Sequence, residues 1–380
     1  MNITTIVYYY AILCTIAGGF ILVITFSNVI WLSHTLFPKP LKKGPKVSVL
    51  IPARNEEKRI IPCLESLLVQ DYQNYNIYLY DDDSTDETGK ILDHYAREYP
   101  GFVHVIHGEP LEAGWFGKPH AMQKLLERSD GVYVLFTDAD TIHMPDSIGR
   151  AVALAQRYEA DLVTGYVHHT TGSFGEAQII PSIYLLTMVA MPLWLVPYTK
   201  SPAISHAIGQ FMLFKAIKFV RFGGYERVKH EVTEDVRIAR LFKKAGHRIV
   251  FADLKPSVDC RMYDSYKSAK LGIAKNVFDY FNHNILLLLG ATASVPLFFF
   301  IPLIGMFWVP AGFAASQPYF NISVIFMLYS WILVTIERRL PWYVPLIYPL
   351  VMVNVLSAAW RAFAAQLTGK ALEWKGRPLR

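Results

Sequence analysis

Only three cysteines occur in the 380 residues, Cys14, Cys63 and Cys260, and no C-x-x-C pair or nearby histidine spacing accompanies them. A disulfide framework and a zinc site are therefore unsupported. Asp, Glu, Lys and Arg are missing altogether from Ile6 to Phe37, a run longer than the roughly 20 residues a helix needs to cross hydrocarbon. No basic stretch precedes the run and it is long for the apolar part of a signal peptide, so it reads as a retained transmembrane helix. Internal repeats and low-complexity tracts are absent too, which leaves ordinary globular and membrane segments.

What is present is mixed. The chain is 53% hydrophobic and 18% charged, too apolar for an ordinary soluble enzyme and too charged to be all membrane. The apolar excess lies at the two ends, while most carboxylates fall between Glu56 and Asp264. This predicts a membrane helix over 1–37, a soluble domain over 38–284, a C-terminal membrane region over 285–363 and a basic tail over 364–380. A net charge of +6 would suit nucleic acid, but the basic residues cluster beside apolar segments, as at Lys39, Lys42, Lys43 and Lys46. That pattern fits membrane lipids rather than nucleic acid, and by the positive-inside rule it places the soluble domain in the cytoplasm.

From Val47 to Asp140, apolar runs at Val47–Ile51, Ile77–Tyr80, Val103–Ile106 and Val132–Phe136 alternate with helical stretches at Glu56–Leu68, Thr85–Glu98 and Pro119–Arg128. The alternation predicts an α/β domain with a Rossmann-like parallel sheet, whose ligands bind at the carboxyl ends of the strands. Two later segments, near 178–197 and 262–281, mix apolar residues with prolines or lysines and read as interfacial helices. Ile285–Pro310 and Phe320–Ile336 read as spans. Trp342–Phe363 fits either a third crossing, which would put the basic tail outside, or a re-entrant segment around Pro345 and Pro349.

Polar residues gather where the strands end. Pro52-Ala53-Arg54-Asn55-Glu56-Glu57 follows the first strand and, alone, reads as a helix start capped by Asn55. Asp81-Asp82-Asp83-Ser84-Thr85-Asp86 follows the second. A capping box explains Ser84 and Glu87, but three adjacent carboxylates repel unless a donor or cation offsets them, which points to a ligand. Gly114-Trp115-Phe116-Gly117-Lys118-Pro119 is either a weak phosphate loop, with Pro119 at the first helical position, or a surface turn. Asp138 and Asp140, at i and i+2 on the turn after a buried strand, can share one hard cation. Thr233-Glu234-Asp235 opens a helix over Val236–Ala245; capping by Thr233 and a catalytic carboxylate fit it equally well.

As an ordered set, these segments resemble the family 2 glycosyltransferases, whose pattern runs P-x-x-N-E, D-D-x-S-x-D, G-K, D-x-D and E-D. Ser205–Gln210, Gly223-Gly224-Tyr225 and Trp374-Lys375-Gly376-Arg377 make the chain similar to the membrane branch near hopanoid-associated and carotenoid-acid glycosyltransferases. The resemblance implies a GT-A fold and a UDP-sugar donor with Mg2+ or Mn2+. It implies Asp81 or Asp82 on uridine, with Pro52, Asn55, Glu56 and Lys118 also on the donor. Asp138 and Asp140 fall at the diphosphate and metal, Trp374 and Arg377 at the diphosphate, and Asp235, beside Glu234, becomes the general base of an inverting reaction. The Q-x-x-R-W of processive members is missing; Cys260-Arg261-Met262-Tyr263 stands in that region. The expected activity is transfer of one sugar to a lipid-like acceptor at the cytoplasmic membrane face. Synthesis of an exported polysaccharide and a non-catalytic scaffold are the alternatives.

Overall fold

The computed structural model describes residues 2–36, 38–280, 284–368, 373–374 and 377–378. Helix α1 (Ile3–His34) leads into β1 (Val47–Ala53), α2 (Ile60–Leu68), β2 (Tyr75–Asp81), α3 (Thr88–Glu98), β3 (Val103–His107), α4 (Gly117–Arg128) and β4 (Tyr133–Phe136). Next come β5 (Thr141–His143), α5 (Ser147–Arg157), β6 (Leu162–Tyr166), β7 (His168–His169), α6 (Phe174–Ala177) and α7 (Ser182–Met188). The chain continues through β8 (Met212–Lys215), α8 (Ala216–Phe222), α9 (Glu234–Lys244), β9 (Ile249–Asp253) and β10 (Val258–Cys260). It ends with α10 (Tyr266–Tyr280), α11 (Ile285–Val295), α12 (Ile301–Phe307), α13 (Gln317–Arg338), α14 (Tyr348–Leu367) and two short strands, β11 (Glu373–Trp374) and β12 (Arg377–Pro378).

Packing divides the chain into two compact units, one comprising Leu32–Thr170, Trp194–Met262 and Glu373–Arg380, the other Met1–Trp31, Thr171–Leu193 and Tyr263–Leu372. The first unit is built on a seven-stranded sheet in the order β3-β2-β1-β4-β8-β6-β9. Neighbours run parallel, except that β8 is antiparallel to both β4 and β6. The departure from an all-parallel sheet has a simple cause. Met212 lies opposite Phe136, so the chain enters β8 at the carboxyl end of β4 and must run back against it.

Because β2 lies on one side of β1 and β4 on the other, the connections reverse direction between β1 and β4. Their carboxyl ends form the switch-point crevice where such sheets take ligands. The strands are largely apolar, as buried central strands require: Val47, Val49, Leu50 and Ile51 of β1 and Val134, Leu135 and Phe136 of β4 are fully buried. At the far side of the sheet, Gly165 of β6 stands opposite Ala252 of β9, and a Cβ there would overlap the Ala252 carbonyl. Gly165→Ala is expected to force β6 and β9 apart and destabilise the domain by about 1–3 kcal/mol. An unchanged thermal midpoint in detergent would show that the strands have room after all.

The second unit is helical. Among the described residues, four helical stretches are long and apolar enough to cross a membrane: Ile3–His34, Ile285–Phe307, Ala311–Arg338 and Tyr348–Leu367. The segment that fitted either a crossing or a re-entrant turn is one continuous helix from Tyr348. Its Pro349 sits in the first turn, where a proline costs no internal hydrogen bond. Ala358, Ala359 and Ala362 of α14 and Ala269, Ile273 and Ala274 of α10 bury one another together with Leu288, small residues that let helices approach closely. Ser323 Oγ donates to the Cys14 carbonyl at 3.0 Å, and Thr15 Oγ1 to that of Tyr319 at 2.8 Å. Asn28, fully buried in α1, donates to the carbonyls of Met188 and Met191 at 2.9 and 2.7 Å and accepts from Leu193 N–H at 2.7 Å. Ile179, Ile180, Tyr184, Met188 and Leu193 are buried as well, so packing within the protein accounts for much of the apolar character of 178–197. Trp194 and Tyr198 remain exposed.

Candidate active site

The loops after β1 and β2 are laced into one structure. Arg54 Nη1 donates to the carbonyls of Asp82 and Asp83. Asn55 Oδ1 accepts from Thr85 N–H at 2.8 Å while its own N–H donates to Ser84 Oγ at 3.1 Å. Glu56 N–H donates to Thr88 Oγ1 at 2.8 Å. Asn55 and Asp83 take left-handed backbone, with φ of 52° and 57°. These bonds overturn the two capping expectations. Helix α2 begins only at Ile60, since a left-handed Asn55 cannot start a helix. Ser84 is spent on Asn55, α3 begins at Thr88, and no side chain caps it.

Asp81 and Asp83, from the run of three carboxylates, meet a donor or a cation inside the protein. Asp81 Oδ1 accepts from Ser84 N–H at 3.1 Å, and its Oδ2 lies 3.7 Å from His107 Nδ1. Asp83 lies 3.7 Å from Arg54. Asp81 and Asp82 are both buried, at 8% and 3% exposure, while the Asp83 side chain is 68% exposed. Pro52 is half-buried at the end of β1, opposite Tyr80.

A second cluster forms at the tip of β4. Lys118 Nζ lies 2.8 Å from Asp138 Oδ1 and 3.0 Å from Glu234 Oε1. Asp235 Oδ2 accepts from Gly209 N–H at 2.8 Å, and Arg59 Nη1 lies 3.8 Å from Asp140 Oδ2. Two carboxylates far apart in sequence, Asp138 and Glu234, therefore share the Lys118 ammonium. Helix α4 starts at Gly117 rather than Pro119, which puts Lys118 in its first turn. Thr233 precedes α9 but makes no side-chain capping bond; the carboxylates of that turn face Lys118 and Gly209 instead.

Beneath the turn, Thr137 Oγ1 donates to the Gln210 carbonyl at 2.8 Å and Thr141 Oγ1 to that of Asp138 at 2.7 Å. His143 Nε2 lies 3.0 and 3.1 Å from these two hydroxyls. With both hydroxyl protons committed to carbonyls, Nε2 is the donor. Burial pushes His143 down to about 3, so it holds the turn as a neutral ring.

Charge crowding sets the protonation of the cluster. Burial, then Asp138 and Glu56, pushes Asp140 up to about 7, with Arg59 and Lys118 opposing. Burial, then Glu234, likewise pushes Asp235 up to about 7, against Lys118 and the two backbone N–H groups it accepts from. Burial works against the Lys118 charge, but Asp138 and Glu234 outweigh it and hold the ammonium well above its ordinary range. A carboxylate titrating near neutrality is suited to take a proton.

Sequence reasoning placed Asp138, Asp140, Glu234, Asp235 and Lys118 at element ends, and the structure brings them together. It missed Arg59, Gly209 and Gln210. The only signal for the last two was the Ser205–Gln210 stretch, to which no role attached. The side chains of Trp374 and Arg377 lie outside the described residues; the backbone of β11 pairs with β12, Trp374 opposite Arg377.

Comparison with known proteins places part of the chain in a family. Residues 48–221 match Glycosyl transferase family 2, and this part of the chain is a family 2 glycosyltransferase domain with the GT-A fold. The 4,4'-diaponeurosporenoate glycosyltransferase of Staphylococcus aureus is 27% identical over 249 residues, which are 64% of this chain and 64% of that protein. The match thus spans just under two thirds of the relative's length. EpsE of Bacillus subtilis is 29% identical over 145 residues, 38% of this chain and 51% of that one. A mannosyltransferase from Pyrobaculum calidifontis, solved with GDP-Man and Mn2+, superposes over 94% of this chain and 98% of its own with a TM-score of 0.54 at 16% identity, a likeness of fold.

Proposed function

We propose that this chain transfers a single sugar from a UDP-sugar to a lipid-like acceptor at the cytoplasmic membrane face, inverting the anomeric carbon. The observation that carries this reading is the cluster at the switch point, in which Lys118 joins Asp138 to Glu234 beside Asp235. Asp235 takes the proton of the acceptor hydroxyl as its oxygen attacks the anomeric carbon, and the bond from that carbon to the diphosphate breaks in line. Lys118, in the first turn of α4, attracts the diphosphate, while the laced loops after β1 and β2, with Pro52, Asn55, Glu56 and Asp81 or Asp82, hold the nucleoside side.

Asp138 and Asp140 fit a hard divalent cation: oxygen donors on one turn, with Asp140 short of positive charge. Among the described residues no group of three or more His, Cys, Asp or Glu is placed to hold a metal. Two carboxylates with donor phosphate and water completing the shell suit Mg2+ or Mn2+, which would offset charge on the departing diphosphate. Asp140→Asn is expected to abolish metal-stimulated transfer while the protein still inserts and folds. Undiminished turnover with Mg2+ or Mn2+ would sink the metal assignment.

The four apolar helical stretches and the diaponeurosporenoate in the relative's name support an amphiphilic acceptor. The lysines at 39, 42, 43 and 46 support a cytoplasmic domain. Incubating membranes with a panel of labelled nucleotide sugars and analysing the lipid extract by mass spectrometry tests the reading. Label confined to a ladder of water-soluble oligosaccharides would favour a polymerase instead.

A further inference from the structure

Tyr225 is fully buried, and its hydroxyl has no hydrogen-bond partner among the described residues. The ring is fixed from several sides. It meets Phe136 of β4 edge-on at 4.9 Å and Phe219 at 5.4 Å, and Tyr225 N–H donates to Gln123 Oε1 of α4 at 2.9 Å. The preceding Gly224 has a φ of 55° and leaves no room for a Cβ, which would lie 2.6 Å from that same Gln123 oxygen. The residue therefore touches β4, which leads to Asp138, and α4, which carries Lys118, and its own short turn, Gly224–Val228, packs against α9, which opens with Glu234. The charges of Glu234, Lys118, Asp235 and Asp138 all act on the phenol. Phenylalanine would fill the same space without burying an unsatisfied hydroxyl, so the hydroxyl serves a state of the site other than the one seen.

We propose that Tyr225 is a positioning residue whose hydroxyl takes over Glu234 when the donor diphosphate draws Lys118 away. This rests on the nucleotide-diphosphate reading given above. In the present arrangement Lys118 serves Asp138 and Glu234 together. A diphosphate competes for the ammonium, and Glu234, which is 5% exposed, would lose its cation. A phenol donating to Glu234 gives the buried carboxylate a partner in place of the ammonium and holds it beside Asp235. No covalent step is involved; one hydrogen bond replaces one ion pair.

The test uses the full-length protein in nanodiscs, with UDP or GDP and MnCl2 as probes. Tyr225→Phe should leave the ligand-free melting temperature unchanged or raise it, because the ring packing stays and an unsatisfied group is removed. Nucleotide affinity by calorimetry should fall by about tenfold, the size of one hydrogen bond to a charged group. In a Glu234→Gln background the same substitution should cost nothing further, since the carboxylate it serves is gone. A variant that melts several degrees lower, binds nucleotide as wild type does, or loses as much affinity in the Gln background would overturn the proposal. Wild-type protein that binds neither nucleotide would overturn the donor reading, and this inference with it.

Discussion

Asp235→Asn is expected to lower transfer to a hydroxyl acceptor by ~10²–10⁴, the loss typical of a general base, with donor affinity largely retained. The amide keeps an oxygen for the Gly209 N–H, so the turn before α9 should hold. The pH dependence separates this role from a structural one. The wild-type carboxyl, pushed up to about 7, must be ionised to accept a proton, so kcat/KM for the acceptor should climb as pH rises through about 7 and level off above it. That rise should vanish in the Asn variant. If the acceptor reacts through an already ionised carboxylate, little base assistance is needed and the loss should be smaller. Near-normal transfer to a hydroxyl, or a product that NMR shows to retain the donor's anomeric configuration, would remove Asp235 from the role.

Lys118→Met should be nearly as damaging and should affect stability too. It strips the shared cation from Asp138 and Glu234 and removes the positive charge opposing the raised carboxyls of Asp140 and Asp235. Activity should fall by at least ~10², in the range seen when one electrostatic contact to a transition state is deleted. The stability change has a definite sign. Without Lys118 the native carboxyls hold protons more tightly than those of the unfolded chain, so native stability falls as pH rises through their folded pKa values. The melting temperature of the variant should therefore drop more at pH 8 than at pH 5.5. An equal drop at both values would show that Lys118 contributes packing rather than charge. Lys118→Arg, which keeps the charge but changes its shape, should recover most of the stability and little of the activity.

The contrast between these residues shows what a sequence can disclose. Asp138 and Asp140 stand just past a strongly patterned strand, and a parallel sheet sends such ends to one edge, so their place there was predictable from topology; Asp235 opens a helix where capping fitted as well, and only the family resemblance singled it out. Lys118 was visible only as part of a weak phosphate loop. Its place between Asp138 and Glu234 depends on how α4 and α9 lean together, a tertiary fact that no local spacing encodes. Ser84 and Thr233 looked like caps because capping is the commonest local use of a hydroxyl before an acidic turn; one was claimed by the loop after β1, and the other makes no capping bond. The antiparallel β8 is four residues, three of them apolar, after a long irregular stretch, too little pattern to fix direction. Arg59 carried no signal and Gly209 only that of a stretch without a role, because what matters in each is the neighbour brought in by the fold.

Asn28 and Thr35 change how the first helix should be regarded. Asn28 satisfies two carbonyls and one N–H of the 188–193 stretch. Just past the helix, Thr35, fully buried, accepts from the N–H of Asp253 at 2.9 Å, where β9 ends. A chain trimmed to begin after Phe37, the usual route to a soluble enzyme, would leave those backbone groups unsatisfied, each at a cost of about 1–3 kcal/mol. The N-terminal segment is thus a structural member of both compact units rather than a tether, and purification has to carry it, with its lipid or detergent, from start to finish.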